Sequence, residues 1–372
     1  MTMTRRTAAA RLLAALLAPT ATRLGAGTVL GQQATPGPAN VVKAIDAPVP
    51  IVFPRDDGPH DTSIEWWYYT GHLTAPDGRL FGFEDVVFRG RWQGQEGVAA
   101  HFAVTDNATG TFRHAERMQG IRGVVGDRAA LDLAIGDWAM LGEDGRDRLR
   151  ASTDGYAIDL ELTSTKPAAL HDGDGYIAYG DGTASYYYSR TRMDVVGHLL
   201  AGEESLPVTG TAWMDHQWGD FTVYKDGGWD WYAVQLDDGR EIMLYLIRDK
   251  AGKDLLVDGS VVARDGTLTS LGAGDFTVTP HGTWTSPATG VRYPSGWTVE
   301  IPSERLRLAI EPTMPNQELD TRRTTGVIYW EGEATMSGIA DGREVDGLAY
   351  VELTGYAPFQ PIDVPTAATP VA

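Results

Sequence analysis

The chain has no cysteine among its 372 residues. That excludes disulfides, a lipid anchor on cysteine and a thiol nucleophile, so stability must come from packed cores alone. No apolar run reaches the length of a membrane-spanning helix, the apolar stretch 7–19 included. Positive charge is also scarce: 31 Lys and Arg stand against 50 Asp and Glu, a formal net charge of -19, which repels nucleic acid and anionic membranes alike. There is no Gly-x-Ser-x-Gly elbow, no His-Glu-x-x-His and no glycine-rich phosphate loop, so a hydrolytic triad is poorly supported. The eight histidines are scattered singly, and no metal site is expected from their spacing.

What is present points to strands. The 44 glycines, 11 tryptophans and 15 tyrosines suit short strands joined by tight turns around large rings. Hydrophobic residues at 42% and charged ones at 22% give the balance of a globular protein, long enough here for two domains. Arg5 and Arg6 followed by the apolar run and then small residues up to Ala34 have the order of an export signal. The arginine pair also admits a twin-arginine reading, although the residues after it match poorly; a plain N-terminal extension is the bland alternative.

Two blocks recur in the same order. Trp66 to Leu73, an Asp77-Gly78-Arg79 turn and a strand closing on Arg89 are echoed by Trp229 to Leu236, Asp238-Gly239-Arg240 and a strand closing on Arg248. Asp-Gly between two such runs is a strong hairpin signal, because glycine takes the positive φ of the tight turn. Val208-Thr209-Gly210-Thr211-Ala212-Trp213-Met214-Asp215 likewise matches Val345 to Glu352, and the preceding strands align Tyr188 and Gly197 with Tyr329 and Gly338. No helical apolar stripe follows Ala39. The reading is all-β: two related antiparallel barrels over 55–222 and 223–358, after an export signal (1–34) and a linker (35–54), with a loose tail at 359–372.

The densest candidate chemistry lies between the repeats. Alternation puts Asp230, Tyr232 and Val234 on one strand face and Trp229 and Trp231 on the other. A buried Asp230 would be held protonated and able to donate a proton; its bland role is to brace the junction. Asp215 and His216 are neighbours, so they point to opposite faces of a regular strand. Glu352 fills the place of Asp215 in the second half, which suggests a shared structural task such as ion pairs with Arg89 and Arg248. His216 has no such counterpart and is the better functional candidate. Tyr186, Tyr187 and Tyr188 must split between faces. Trp66 and Trp67 are core residues first and site residues second, and their neighbour Glu65, an acid in an aromatic strand, is a candidate second site group.

Glu65-Trp66-Trp67-Tyr68, Ala184 to Ser189, Gly210 to Gly219, Gly228 to Tyr232 and Pro315 to Leu319 together resemble the AttH-like family, which includes the carotenoid 1,2-hydratases (hydroxyneurosporene synthases). The resemblance spans about residues 55 to 358 and implies tandem lipocalin-like barrels. It further implies cofactor-independent hydration of a C=C bond, with a buried acid protonating the alkene and water capturing the cation. Carried over by position, Asp230 is that acid. Trp218, Trp229 and Trp231 shield the cation, Tyr232 or His216 places the water, and Glu65, Trp66, Trp67, Tyr187 and Asp215 are further contacts. The expectation is an exported protein acting on an apolar isoprenoid or lipid-like small molecule, with no nucleic-acid partner, no cofactor and no metal. A non-catalytic carrier and a secreted hydrolase are the alternatives.

Overall fold

The computed structural model describes residues 48–92, 95–126, 129–178, 184–221 and 227–360. The export signal, most of the linker, the division at 222/223 and the tail beyond 360 lie outside the described residues.

The first half begins with β1 (Ile64–Thr74), β2 (Leu80–Trp92), β3 (Gln95–Asp106) and β4 (Thr111–Gly120). A second meander follows: β5 (Leu131–Ile135), β6 (Trp138–Glu143), β7 (Arg146–Thr153) and β8 (Tyr156–Ser164). Short β9 (Ala169–Leu170) and β10 (Tyr176–Ala178) lead to the long β11 (Ala184–Ala201) and β12 (Glu204–Asp220). The second half contains β13 (Gly227–Leu236), β14 (Glu241–Asp249), β15 (Asp254–Val262), β16 (Leu268–Gly272) and β17 (Thr277–Pro280). It continues through a small hairpin, β18 (Thr283–Thr285) and β19 (Arg292–Pro294), to β20 (Trp297–Ile301) and β21 (Leu306–Pro312). Its last strands are β22 (Glu318–Thr321), β23 (Val327–Ala340) and β24 (Arg343–Leu353).

The two sheets have the same plan. The first runs β4-β3-β2-β1-β12-β11-β8-β7-β6-β5, and the second β16-β15-β14-β13-β24-β23-β21-β20-β17. With β13 in the place of β1 and β24 in the place of β12, the orders correspond over nine strands, the first sheet adding β5 at its end, so the sequence repeat is a structural one. Each sheet is antiparallel and curls around its own core. In the first, edge strands β4 and β5 pack on each other. Trp67, Tyr69, Phe81, Phe83, Phe102 and Tyr188 fill its interior, and Tyr232, Trp297, Val299, Ile310 and Trp330 fill the second. Both interiors are therefore solid with side chains, as in small barrels generally.

The alternate faces of the central strands are buried as well. Tyr68, Val86, Phe88, Tyr187 and Trp213 on the outside of the first barrel pack against Trp231, Ala233, Met243 and Tyr350 on the outside of the second. Strands buried on both faces lose polar alternation, which explains why Trp66 to Tyr69 reads as four rings in a row. Close approach is helped by Gly82, where a Cβ would lie 2.7 Å from the Glu333 Cβ. Polar ties surround the apolar contact. Lys166 Nζ reaches Glu241 Oε2 at 2.6 Å and the carbonyls of Gly239 and Ala263, and Arg192 Nε donates to Glu241 Oε1 at 2.6 Å.

Two sequence expectations need correction. A β-bulge inserts one extra residue between Arg190 and Met193, so registers with β12 and β24 match Tyr187, not Tyr188, to Tyr329. Arg89 pairs with Glu65 and Glu96, and Arg248 with Asp230; Asp215 and Glu352 have no cationic partner among the described residues. Those arginines lie on the opposite strand face from both acids.

Replacing Glu241 by Ala leaves the buried Lys166 ammonium with carbonyls alone. We expect a loss of about 3–5 kcal/mol in urea unfolding, against less than about 0.5 kcal/mol for the exposed Glu300→Ala.

Candidate functional site

A cleft lies where the two outer faces meet. It encloses about 790 Å³, counting the space at its mouth. The register makes its lining a set of equivalent pairs, since Tyr68 opposes Asp215 just as Trp231 opposes Glu352. Trp66 and Trp229, Tyr68 and Trp231, Phe88 and Ile247, Tyr187 and Tyr329, and Asp215 and Glu352 all line it. The cleft is thus the meeting of the same surface from both halves, with Glu84, Gln217, Ile177 and Tyr245 added.

Four carboxyls gather at this apolar meeting. Tyr187 donates to Asp215 Oδ2 at 2.6 Å, while Ser189 and the Trp213 indole donate to Oδ1 at 2.5 and 2.7 Å. Burial pushes Asp215 up to about 6, and those three donors restrain the rise. Glu352 accepts one indole hydrogen bond, from Trp229 at 2.8 Å. Burial first, and then the charges of Asp215 and Asp230, push it up to about 7. Across the junction Tyr68 donates to Glu331 at 2.8 Å and Tyr329 to Glu84 at 2.9 Å. Burial first, and then the charge of Glu352, raise both glutamates well above the carboxylate range. One oxygen of each, Glu84 Oε2 and Glu331 Oε2, is buried with no hydrogen-bond partner among the described residues. Groups of this kind hold protons near neutral pH and can exchange them with a bound molecule.

The structure divides the residues singled out in the sequence among three places. Trp66, Tyr187, Asp215, Trp229 and Trp231 line the cleft. Glu65, Trp67, His216 and Trp218 face the inside of the first barrel, where Trp67 and Trp218 flank the His216 ring at 4.7 and 4.6 Å. Asp230 and Tyr232 face the second barrel. Asp230 is bound by Arg248 at 2.6 Å and Tyr356 at 3.0 Å; burial still raises its pKa against the arginine. Tyr232 is core, edge-on to Trp297 at 5.7 Å. Sequence reasoning missed Glu84 and Glu331 and took Glu352 only as a repeat position. The available signal was an acid in step with apolar neighbours, as Glu84 is with Val86 and Phe88. It also missed a convergence of His60, Glu65 and His216, whose donor atoms lie within 4.8 Å of one another. These residues are far apart in sequence, so no spacing motif announces them.

A family model for AttH-like proteins matches residues 44–356. The chain belongs to the AttH-like family. A solved structure assigned to AttH, from Nitrosomonas europaea, is 31% identical and superposes with a TM-score of 0.77 over 85% of this chain and 100% of its own. Kievitone hydratase from Nectria haematococca, at 17% identity, shares the fold with a TM-score of 0.67 over 84% of this chain and 95% of its own. The dehydratase asqC of Emericella nidulans is 24% identical over 217 residues, 55% of this chain; the match spans 60% of that protein's length. No helix among the described residues is long and apolar enough to cross a membrane.

The sign of the pH effect follows from the raised carboxyls. A folded pKa near 7 against an ordinary value near 4.5 means the folded state binds the extra proton, so stability is lost as pH rises between those values. Glu352→Gln removes that loss. The variant should gain stability relative to the parent between pH 5 and 8, with little relative change below pH 4, as measured by urea unfolding at each pH.

Proposed function

We propose that the junction cleft adds water to, or removes it from, a carbon–carbon double bond of an apolar isoprenoid-like molecule. The observation that carries this reading is a pair of uncompensated carboxyls, Asp215 and Glu352, on equivalent strands of an aromatic cleft. Environments that push two acids apart assign them different roles. Three donors favour ionised Asp215, which suits it to take a proton from water. Glu352, with one donor and a pKa raised by burial, suits the proton donor.

In hydration, Glu352 gives its proton to one alkene carbon. The cation formed at the other carbon is stabilised by the π faces of Trp66, Trp229 and Trp231. Water adds there and passes its proton to Asp215; Asp215 then releases that proton to solvent, and one from solvent restores Glu352. The reverse sequence is dehydration. Relatives named hydratase and dehydratase support this reaction class. The proton donor expected from sequence, Asp230, enters as the second reading, favoured by its raised pKa and opposed by its bond to Arg248. The N-terminal pattern supports export of the protein.

The test is turnover of acyclic isoprenoids, a carotene included, in ¹⁸O-labelled water with mass analysis of product and bound ligand. A product heavier by one labelled water is expected, with Glu352→Gln and Asp215→Asn each slowed by roughly 10²–10⁴-fold. Loss in Asp230→Asn alone would move the donor to that residue. Unchanged ligand held equally by the parent and all three variants would make the protein a carrier.

A further inference from the structure

A second convergence of side chains lies inside the first barrel, on the strand faces turned away from the cleft. His60 precedes β1, Glu65 lies at the start of β1, and His216 is on the neighbouring β12. His60 Nδ1 lies 2.7 Å from Glu65 Oε1, and His216 Nε2 lies 3.0 Å from the same oxygen. Glu65 and His216 are fully buried, while the His60 side chain keeps 19% of its surface exposed, which leaves a way in. Trp218 stacks flat on His60 with ring centroids 3.9 Å apart and fixes its plane.

The hydrogens here do not add up. The other nitrogen of His60, Nε2, faces Asp56 Oδ1 at 3.2 Å, and the other nitrogen of His216, Nδ1, faces the Tyr188 hydroxyl at 3.3 Å. Tyr188 has committed its own hydrogen to Asp57 Oδ1 at 2.7 Å, so toward His216 it can only accept. Each of the four ring nitrogens therefore faces an acceptor oxygen. Two neutral imidazoles supply two N–H groups and a protonated His60 raises that to three, so at least one of the four contacts has no hydrogen. The two that share Glu65 Oε1 converge on one point.

We propose that this point binds a divalent transition-metal ion of the zinc class, held by His60 Nδ1, Glu65 and His216 Nε2. One such ion takes the place of the hydrogens between Glu65 Oε1 and the two rings. It leaves His60 Nε2–H to donate to Asp56 and His216 Nδ1–H to donate to Tyr188. A carboxylate or hydroxyl behind each ligand imidazole is the usual outer shell of a histidine–metal site. Two imidazoles and one carboxylate form a donor set that zinc accepts with a further position left for water. Arg89 holds the remaining oxygen, Glu65 Oε2, at 3.0 Å and restricts the carboxylate to binding through Oε1.

The test uses the full chain, stripped with chelator, exposed to Zn²⁺ and dialysed, with metal content and calorimetric affinity measured. One zinc per chain is expected, with proton release seen as a dependence of the heat on buffer ionisation. His60→Gln should abolish binding, and Asp56→Asn, which leaves every ligand in place, should weaken it roughly 10–100-fold. Should His60→Gln fail to fold, the visible spectrum of the Co²⁺-loaded parent reports nitrogen and oxygen ligation directly. No retained zinc in the parent, or undiminished binding in folded His60→Gln, overturns the proposal in favour of a network bridged by protons. Neither readout involves turnover, so the outcome is independent of what the cleft does.

Discussion

Everything in this molecule follows from packing the outside of one barrel onto the equivalent outside of the other. Small barrels of this size fill their own interiors with side chains, here Trp67, Tyr69 and Phe83 in one and Trp297 and Trp330 in the other. The cleft forms where the two curved surfaces meet imperfectly. The central strands β1, β2, β11 and β12 present rings outward, as do β13, β14, β23 and β24. Their contact shields the rings from water and leaves a cleft between them.

The same contact makes ionisable groups expensive, and the sequence has placed several there. Raising Glu352 from its ordinary value to about 7 corresponds to roughly 3 kcal/mol of resistance to ionisation. An apolar residue at that position would avoid the cost, as Leu353 and Val351 do on the other face. Buried acids without cations are weak choices for stability, and such departures from local consistency concentrate at functional sites. Asp215 shows the adjustment on a finer scale. Its three donors draw the proton away, while Glu352 has only one, so two acids in equivalent positions differ in their readiness to give a proton.

Much of the fold was legible in the sequence because the repeat carried it. Asp77-Gly78-Arg79 and Asp238-Gly239-Arg240 marked matching hairpins, and the shared Val-x-Gly-x-Ala-aromatic pattern marked matching strands. The position of the cleft was less legible, because a strand buried on both faces reads alike on either. Alternation from Asp230 separated Tyr232 from Trp231 correctly, but it did not tell which face belonged to a barrel interior and which to the junction. Two equivalent acids near arginines read as ion pairs. In the folded chain Arg89 and Arg248 turn inward and meet Glu65 and Asp230, and the acids turn outward. The one-residue bulge before Met193 leaves no mark in composition, so only the register shows that Tyr187 is the partner of Tyr329.

The strict alternation of β1 and β12 ties the two sites together. Trp66 and Tyr68 belong to the cleft, while Glu65 and Trp67 belong to the inner cluster. On the partner strand Asp215 and Gln217 face the cleft, and His216 and Trp218 face inward. Any rotation that improved one face would displace the other, because a strand in a ladder has no freedom to turn one side chain independently of the next. Glu65, fixed by Arg89 and by the His60 and His216 rings, therefore anchors the strand end from which Trp66 and Tyr68 project. Tyr188 extends that anchorage to β11, whose next residues, Tyr187 and Ser189, hold the Asp215 carboxylate. The inner cluster thus acts as a rigid backing for the cleft, and a cation bound there would stiffen the wall on which the proposed proton acceptor stands.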